Sequence, residues 1–132
     1  MIPAILRKFI LAKRENKPFV EMWGSGSPLR EFMHVDDLAD ACLFLMETYN
    51  ELEFVNISSQ EELTIKSIAE LIKEITNYQA EIRWDTSKPD GTPRKIMDNS
   101  RLNNMNWRPS IKLADGLQMV YNEISNNSSI IN

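Results

Sequence analysis

Residues 2 to 14 repeat apolar side chains at intervals of three and four. Ile2, Ile5, Leu6, Phe9 and Ile10 share one side of a helix, with Lys13 continuing the stripe. Pro3 suits its first turn, where no intrahelical donor is needed. Arg7 points away from the stripe, whereas Lys8 flanks it near Ile5 and Ala12. The period then changes. "FVEMW" at 19–23 reads as a strand, 24–29 as a glycine-containing loop, and "REFMHV" at 30–35 as a second extended segment rich in strand formers. A helix is predicted over 36–49, with Asp36 or Asp37 as its cap and acids in its first turn. Its Leu38, Ala41, Cys42, Leu45 and Tyr49 form one stripe, but Leu43, Phe44 and Met46 cover other sides. A helix apolar nearly all round is normally buried on all sides, and a chain this short can hardly surround one, so a covering layer is expected from elsewhere.

Further elements follow the same logic. "LEFVNIS" at 52–58 reads as a short strand. "TIKSIAELIKEITNY" at 64–78 reads as an amphipathic helix capped by Thr64, with Ile65, Ile68, Leu71, Ile72 and Ile75 inward. "AEIRW" is a strand, and "DTSKPDGTPRK" is a long loop marked by its Pro-Asp-Gly turn. A short helix capped by Asp98 and a last helix capped by Ser110 close the chain, with 126–132 expected to fray. The fold class is α/β: a small mixed domain occupying the whole chain.

At 132 residues the chain is of single-domain size. Its 15 Lys and Arg against 19 Asp and Glu leave a net charge of -4, which gives no reason to expect nucleic acid or an anionic membrane as partner. No apolar run reaches a spanning length, and the one cysteine, Cys42, rules out an internal disulfide and fits a reducing, cytoplasmic setting. Charge is uneven, with no Lys or Arg between 31 and 62. Basic residues gather near the start (Arg7, Lys8, Lys13, Arg14, Lys17), at Arg30, and at Lys88, Arg94 and Lys95. They are either solvated surface or three segments that bring cations to one anion such as a diphosphate.

Four candidates for chemistry fall away on inspection. Gly24-x-Gly26 lacks the third glycine and the following helix of a dinucleotide fingerprint. His34, the only histidine, has no nucleophile or carboxylate partner in its pattern and reads as structural. Cys42 reads as a small buried apolar residue, and the Asp36–Asp37 pair as a cap, so no metal site is expected.

"WGSGSPLREFMHVDDLADA" is similar to a segment of the extended short-chain dehydrogenases that act on nucleotide sugars. Together with "IPAILRKF" and "DTSKPDGTPRKIMD" it resembles, more narrowly, the GDP-L-fucose synthase family, from residue 2 to about 125. "SKPDGTPRK" is the specific part of that match; "REFMHVDD" alone indicates only the superfamily. The resemblance implies the C-terminal substrate-binding portion of a longer enzyme, lacking the N-terminal Rossmann half, with residues 31–57 expected to pack on that half. The family's enzyme carries out 3,5-epimerisation and 4-reduction of GDP-4-keto-6-deoxymannose with NADP. Its glycine fingerprint and its catalytic Ser, Tyr-x-x-x-Lys pair and epimerase residues have no counterpart here, so no catalytic or cofactor-binding residue is assigned. The full-length enzyme is expected to be a homodimer.

By the same resemblance, five residues contact the GDP-sugar. Arg30 lies near the diphosphate, with Lys8 and Lys95 as further basic residues of the same site. Trp23 offers its indole beside the sugar, and Asp90 accepts hydrogen bonds from the substrate. The residues by themselves also allow Trp23 to fill the core at a strand end and Asp90 to be a turn residue. Glycines 24 and 26 are expected to let the backbone approach the ligand. Lys8 stands where many members carry arginine, which keeps the charge without the fork. "VNISSQ" replaces a stretch that is usually "NVGTG"-like. Two other readings stay open: a sister nucleotide-sugar epimerase or dehydratase, and a stand-alone, non-catalytic nucleotide-sugar-binding module.

Overall fold

The computed structural model of the chain describes residues 1–126. The predicted tail at 126–132 therefore lies, beyond its first residue, outside the described residues. Helix α1 (Ile2–Arg14) leads into strand β1 (Phe19–Trp23), and β2 (Leu29–Glu31) follows a tight loop. After α2 (Val35–Thr48) come β3 (Glu62–Thr64), α3 (Ile65–Thr76) and β4 (Glu81–Asp85). Strand β5 (Arg94–Lys95), the short α4 (Ser100–Asn104) and α5 (Leu113–Asn126) complete the fold.

Two small sheets organise these elements. In the first, β1 and β4 run parallel with Trp23 opposite Asp85. In the second, β2 lies between antiparallel β3 and parallel β5. The apolar helix faces and the first sheet form the main core. Ile5, Leu6 and Phe9 of α1 meet Val20 and Met22 of β1, Ile68 and Ile72 of α3, and Leu117 of α5. Phe9 stands edge-on to Tyr78, with ring centroids 5.6 Å apart. The Tyr78 hydroxyl donates to the Lys17 carbonyl at 2.9 Å, satisfying the polar end of an otherwise buried ring. Thr64 caps α3 as its sequence indicates, accepting from the Ser67 amide at 2.9 Å.

Other details depart from the sequence pattern. The cap of α2 is His34, whose ring nitrogen accepts from the Asp36 amide at 3.3 Å. Asp37 is instead buried inside the first turn, where its carboxylate accepts from the Ser110 amide and hydroxyl and the Ile111 amide at 2.8–3.0 Å. Burial alone would raise its pKa, but the two amides, the hydroxyl and the nearby His34 outweigh it and hold the group below the ordinary carboxylate range. Ser110 therefore binds Asp37 rather than capping the last helix; Glu61 takes that place, accepting from the Leu113 amide at 2.9 Å. At α4 the Asp98 carboxylate receives the Ser100 amide at 2.8 Å from one residue before the cap position.

The apolar helix α2 turns Ala41, Phe44 and Leu45 toward a second small cluster with Leu102 and Trp107. Cys42 is exposed, contrary to its sequence reading, because this inward face runs through Ala41 and Phe44. Leu43 and Met46 are 60% and 80% exposed. The predicted strand at 52–58 does not form. The segment sends Val55 and Ile57 inward but has no neighbouring strand to complete a ladder, and it leaves Leu52 and Phe54 exposed.

Candidate functional site

Loops that leave the carboxyl ends of a parallel strand pair are the usual place for a ligand crevice in α/β folds. Two loops of this chain do so. Residues 24–28 leave β1 after Trp23, and residues 86–93 leave β4 after Asp85. They then enter β2 and β5, which lie parallel and in register as Leu29–Arg94 and Arg30–Lys95. Hydrogen bonds from Gly24 to the Asp85 carbonyl (2.9 Å) and from Leu29 to the Pro93 carbonyl (2.8 Å) tie the loops together at both ends.

At the first end, the Trp23 indole is 65% exposed. Two ammonium groups stand by it, Lys8 at 5.9 Å and Lys88 at 5.8 Å from the ring centroid. Lys8 also donates to the Glu21 carbonyl at 2.9 Å. Lys88 is the residue of this group that the family resemblance does not bring forward. Its sequence signals are its place among the three basic clusters and within "SKPDGTPRK".

At the second end, Arg30 and Lys95 are register partners on adjacent strands, so their side chains leave the sheet on the same face. Arg30 is half-buried and donates to the Leu29 carbonyl at 2.7 Å. Among the described residues no carboxylate reaches it at ion-pair distance; Glu31 instead accepts from the Met97 amide at 2.9 Å. Arg94 is differently placed. It grips Glu62 through two bonds of 2.6 and 3.0 Å, fastening β5 to β3 across β2.

Asp90 lies between the two ends. One carboxylate oxygen accepts from the Ser25 amide at 2.6 Å and the other from the Ser25 hydroxyl at 2.7 Å. The hydroxyl bond, the amide bond and the Gly26 amide together hold its carboxyl below the ordinary range. The glycines have internal reasons to be where they are. A Cβ on Gly24 would run into the Asp90 carboxylate, and one on Gly26 would stand 2.6–2.8 Å from the Trp84 ring; both residues have positive φ. The loop is thus clasped by Asp90 on one side and seated on Trp84 on the other.

All five residues named from the sequence therefore border one loop pair, in two groups: Trp23 with Lys8, and Arg30 with Lys95, with Asp90 between them. Elsewhere, an apolar cleft lined by Ile2, Phe32, His34, Leu113, Leu117 and Val120 contains none of these five. Among the described residues no cluster of His, Cys, Asp and Glu is arranged to hold a metal, and no helix is long and apolar enough to cross a membrane.

Residues 1–58 match the NAD dependent epimerase/dehydratase family. The chain is 55% identical over 121 residues to a putative GDP-L-fucose synthase 2 of Arabidopsis thaliana, which covers 92% of this chain and 37% of the relative. It is 54% identical over 121 residues, with the same coverage, to a probable GDP-L-fucose synthase 1 of Oryza sativa subsp. japonica. Among solved structures, a GDP-mannoheptose C4 reductase from Campylobacter jejuni with NADP bound superposes with a TM-score of 0.83. It is 34% identical, and the match covers 94% of this chain and 44% of that one. The chain thus spans well under half the length of the relatives it matches.

Proposed function

We propose that this chain, which belongs to the GDP-L-fucose synthase family and spans about 37% of its relatives' length, is the GDP-sugar-holding portion of an NADP-dependent enzyme. In that enzyme GDP-4-keto-6-deoxymannose undergoes 3,5-epimerisation and 4-reduction. Hydride from NADPH and the acid/base groups come from the Rossmann portion, outside this chain. Residues 31–57 then form the face that meets that portion, which accounts for exposed Leu43, Met46, Leu52 and Phe54. The whole enzyme works as a homodimer in the cytoplasm.

The observation that carries this reading is the pair Arg30 and Lys95, in register on one sheet face at the end of the loop that begins with exposed Trp23. Two cations at one spacing suit adjacent phosphates, and the Arg30 guanidinium adds a planar fork. Lys8 supplies charge beside Trp23, whose ring offers a face to a sugar or base. Asp90 sets the loop that joins these groups and borders the ligand. Holding GDP at this distance from the chemistry lets binding energy fix the hexose where it reacts.

Titration of the chain with GDP in a calorimeter tests the reading. A charge-assisted contact contributes roughly 1.5–3 kcal/mol, so Arg30→Ala weakens GDP binding by about one to two orders of magnitude. Arg30→Lys recovers part of the loss, and Arg7→Ala, on the outer side of α1, leaves binding unchanged. Equal binding by Arg30→Ala and Arg7→Ala would show that the site is misassigned.

A further inference from the structure

We propose that Lys88 is a phosphate-contacting residue of this site. The proposal rests on the GDP-sugar reading above and extends it to a residue outside that assignment. Three features of the local structure lead to it.

First, the backbone around Lys88 is fixed. The Asp85 carboxylate accepts from the Ser87 amide at 3.1 Å and the Ser87 hydroxyl at 2.5 Å, and the Lys88 amide donates to the Asp85 carbonyl at 3.2 Å. Pro89 restricts the chain on the other side. Because Asp85 is the strand partner of Trp23, this turn keeps Lys88 beside the indole.

Second, the Lys88 ammonium stands 5.8 Å from the Trp23 ring centroid. The ring face attracts the charge and narrows the range of side-chain conformations it samples. Such an ammonium loses less freedom on meeting an anion than one on an unrestrained surface lysine.

Third, the basic side chains of Lys8, Arg30 and Arg94 are already engaged, whereas among the described residues Lys88, like Lys95, is not. Lys8 donates to the Glu21 carbonyl, Arg94 grips Glu62, and Arg30 donates to the Leu29 carbonyl. Among the described residues Lys88 has no hydrogen-bond acceptor and no carboxylate at ion-pair distance. The Ser87 hydroxyl and amide hold the Asp85 carboxyl below its ordinary range, the field of Lys88 adding only the smallest part, so that carboxylate is engaged with Ser87. Three ammonium hydrogens at an exposed indole, beside a loop that leads to Arg30, are suited to receive phosphate oxygens.

The chemistry recognised is a nucleoside diphosphate. Titrating the chain with GDP and with guanosine, the same base and ribose without phosphates, tests it. Lys88→Ala is expected to weaken GDP binding about tenfold while leaving guanosine binding unchanged. Lys88→Arg is expected to keep most of the GDP affinity. If Lys88→Ala binds GDP like the unaltered chain while Arg30→Ala is impaired, the inference about Lys88 fails and the site reading stands. If Lys88→Ala weakens GDP and guanosine equally, the residue acts through the shape of the Trp23 platform and the phosphate role is refuted. If the unaltered chain binds no GDP, or if neither Arg30→Ala nor Lys88→Ala changes binding, the site reading itself fails and the inference with it.

Discussion

Replacing Asp37 by alanine removes the acceptor for three hydrogen bonds that fasten the segment before α5 to the first turn of α2. The bonds come from the Ser110 amide at 3.0 Å, the Ser110 hydroxyl at 2.8 Å and the Ile111 amide at 2.9 Å. Bonds to a charged group contribute about 1.5–3 kcal/mol each, but Ser110 is exposed and its groups regain water when released. A loss of about 2–4 kcal/mol is therefore expected, a large part of the roughly 5–15 kcal/mol that holds an ordinary domain. Asparagine at 37 keeps the oxygen facing Ser110 but turns an N–H group toward the Ile111 amide, so about 1–2 kcal/mol is expected. Urea unfolding of the chain and both variants near neutral pH measures these differences.

Acid should imitate the substitution. The folded pKa of Asp37 lies below its ordinary value, so its contribution is present above about pH 4 and disappears as pH falls through the lower folded value. The gap between the unaltered chain and Asp37→Ala should accordingly close in acid. The reasoning is refuted if alanine costs less than about 0.5 kcal/mol near neutrality, or if the gap widens as pH falls.

Two further outcomes follow from backbone geometry. Gly26→Ala places a methyl against the Trp84 ring at a positive φ, and a destabilisation of about 2–4 kcal/mol is expected in urea unfolding; a loss below about 1 kcal/mol would mean that the loop shifts without resistance. Gln60 has φ 61, and the other positive-φ residues apart from glycine among those described are asparagines, which tolerate that conformation better. Gln60→Gly should raise stability by about 0.5–1 kcal/mol, read as a higher melting temperature; an unchanged or lower one would show that the strain is already relieved.

Local periodicity was enough for the helices and strands whose burial is one-sided. The spacing of Ile5, Leu6 and Phe9 in α1, and of Ile68 and Ile72 in α3, specifies which face meets the core whatever the rest of the chain does. Thr64 caps α3 because its partner amide lies three residues away. The positions of Gly24 and Gly26 were likewise visible, although their reasons were not: a side chain 65 residues from Ser25 clasps the loop, and a ring from another strand underlies it.

Residues that meet only through tertiary structure were beyond that reach. Asp36 and Asp37 look like caps, yet His34 caps α2 and Asp37 binds a segment more than 70 residues away. The alternation at 52–58 is that of a strand, but a strand requires a neighbour for its backbone, and without one the segment remains unpaired. In the site, the sequence marks Arg30 and Lys95 as basic and Trp23 as aromatic, but pairing of β2 with β5 brings the two cations side by side. The turn beyond β4 likewise carries Lys88 to the indole. A one-sided pattern can be read along a chain because its period is local, whereas the partner of a charge is set by how distant strands align.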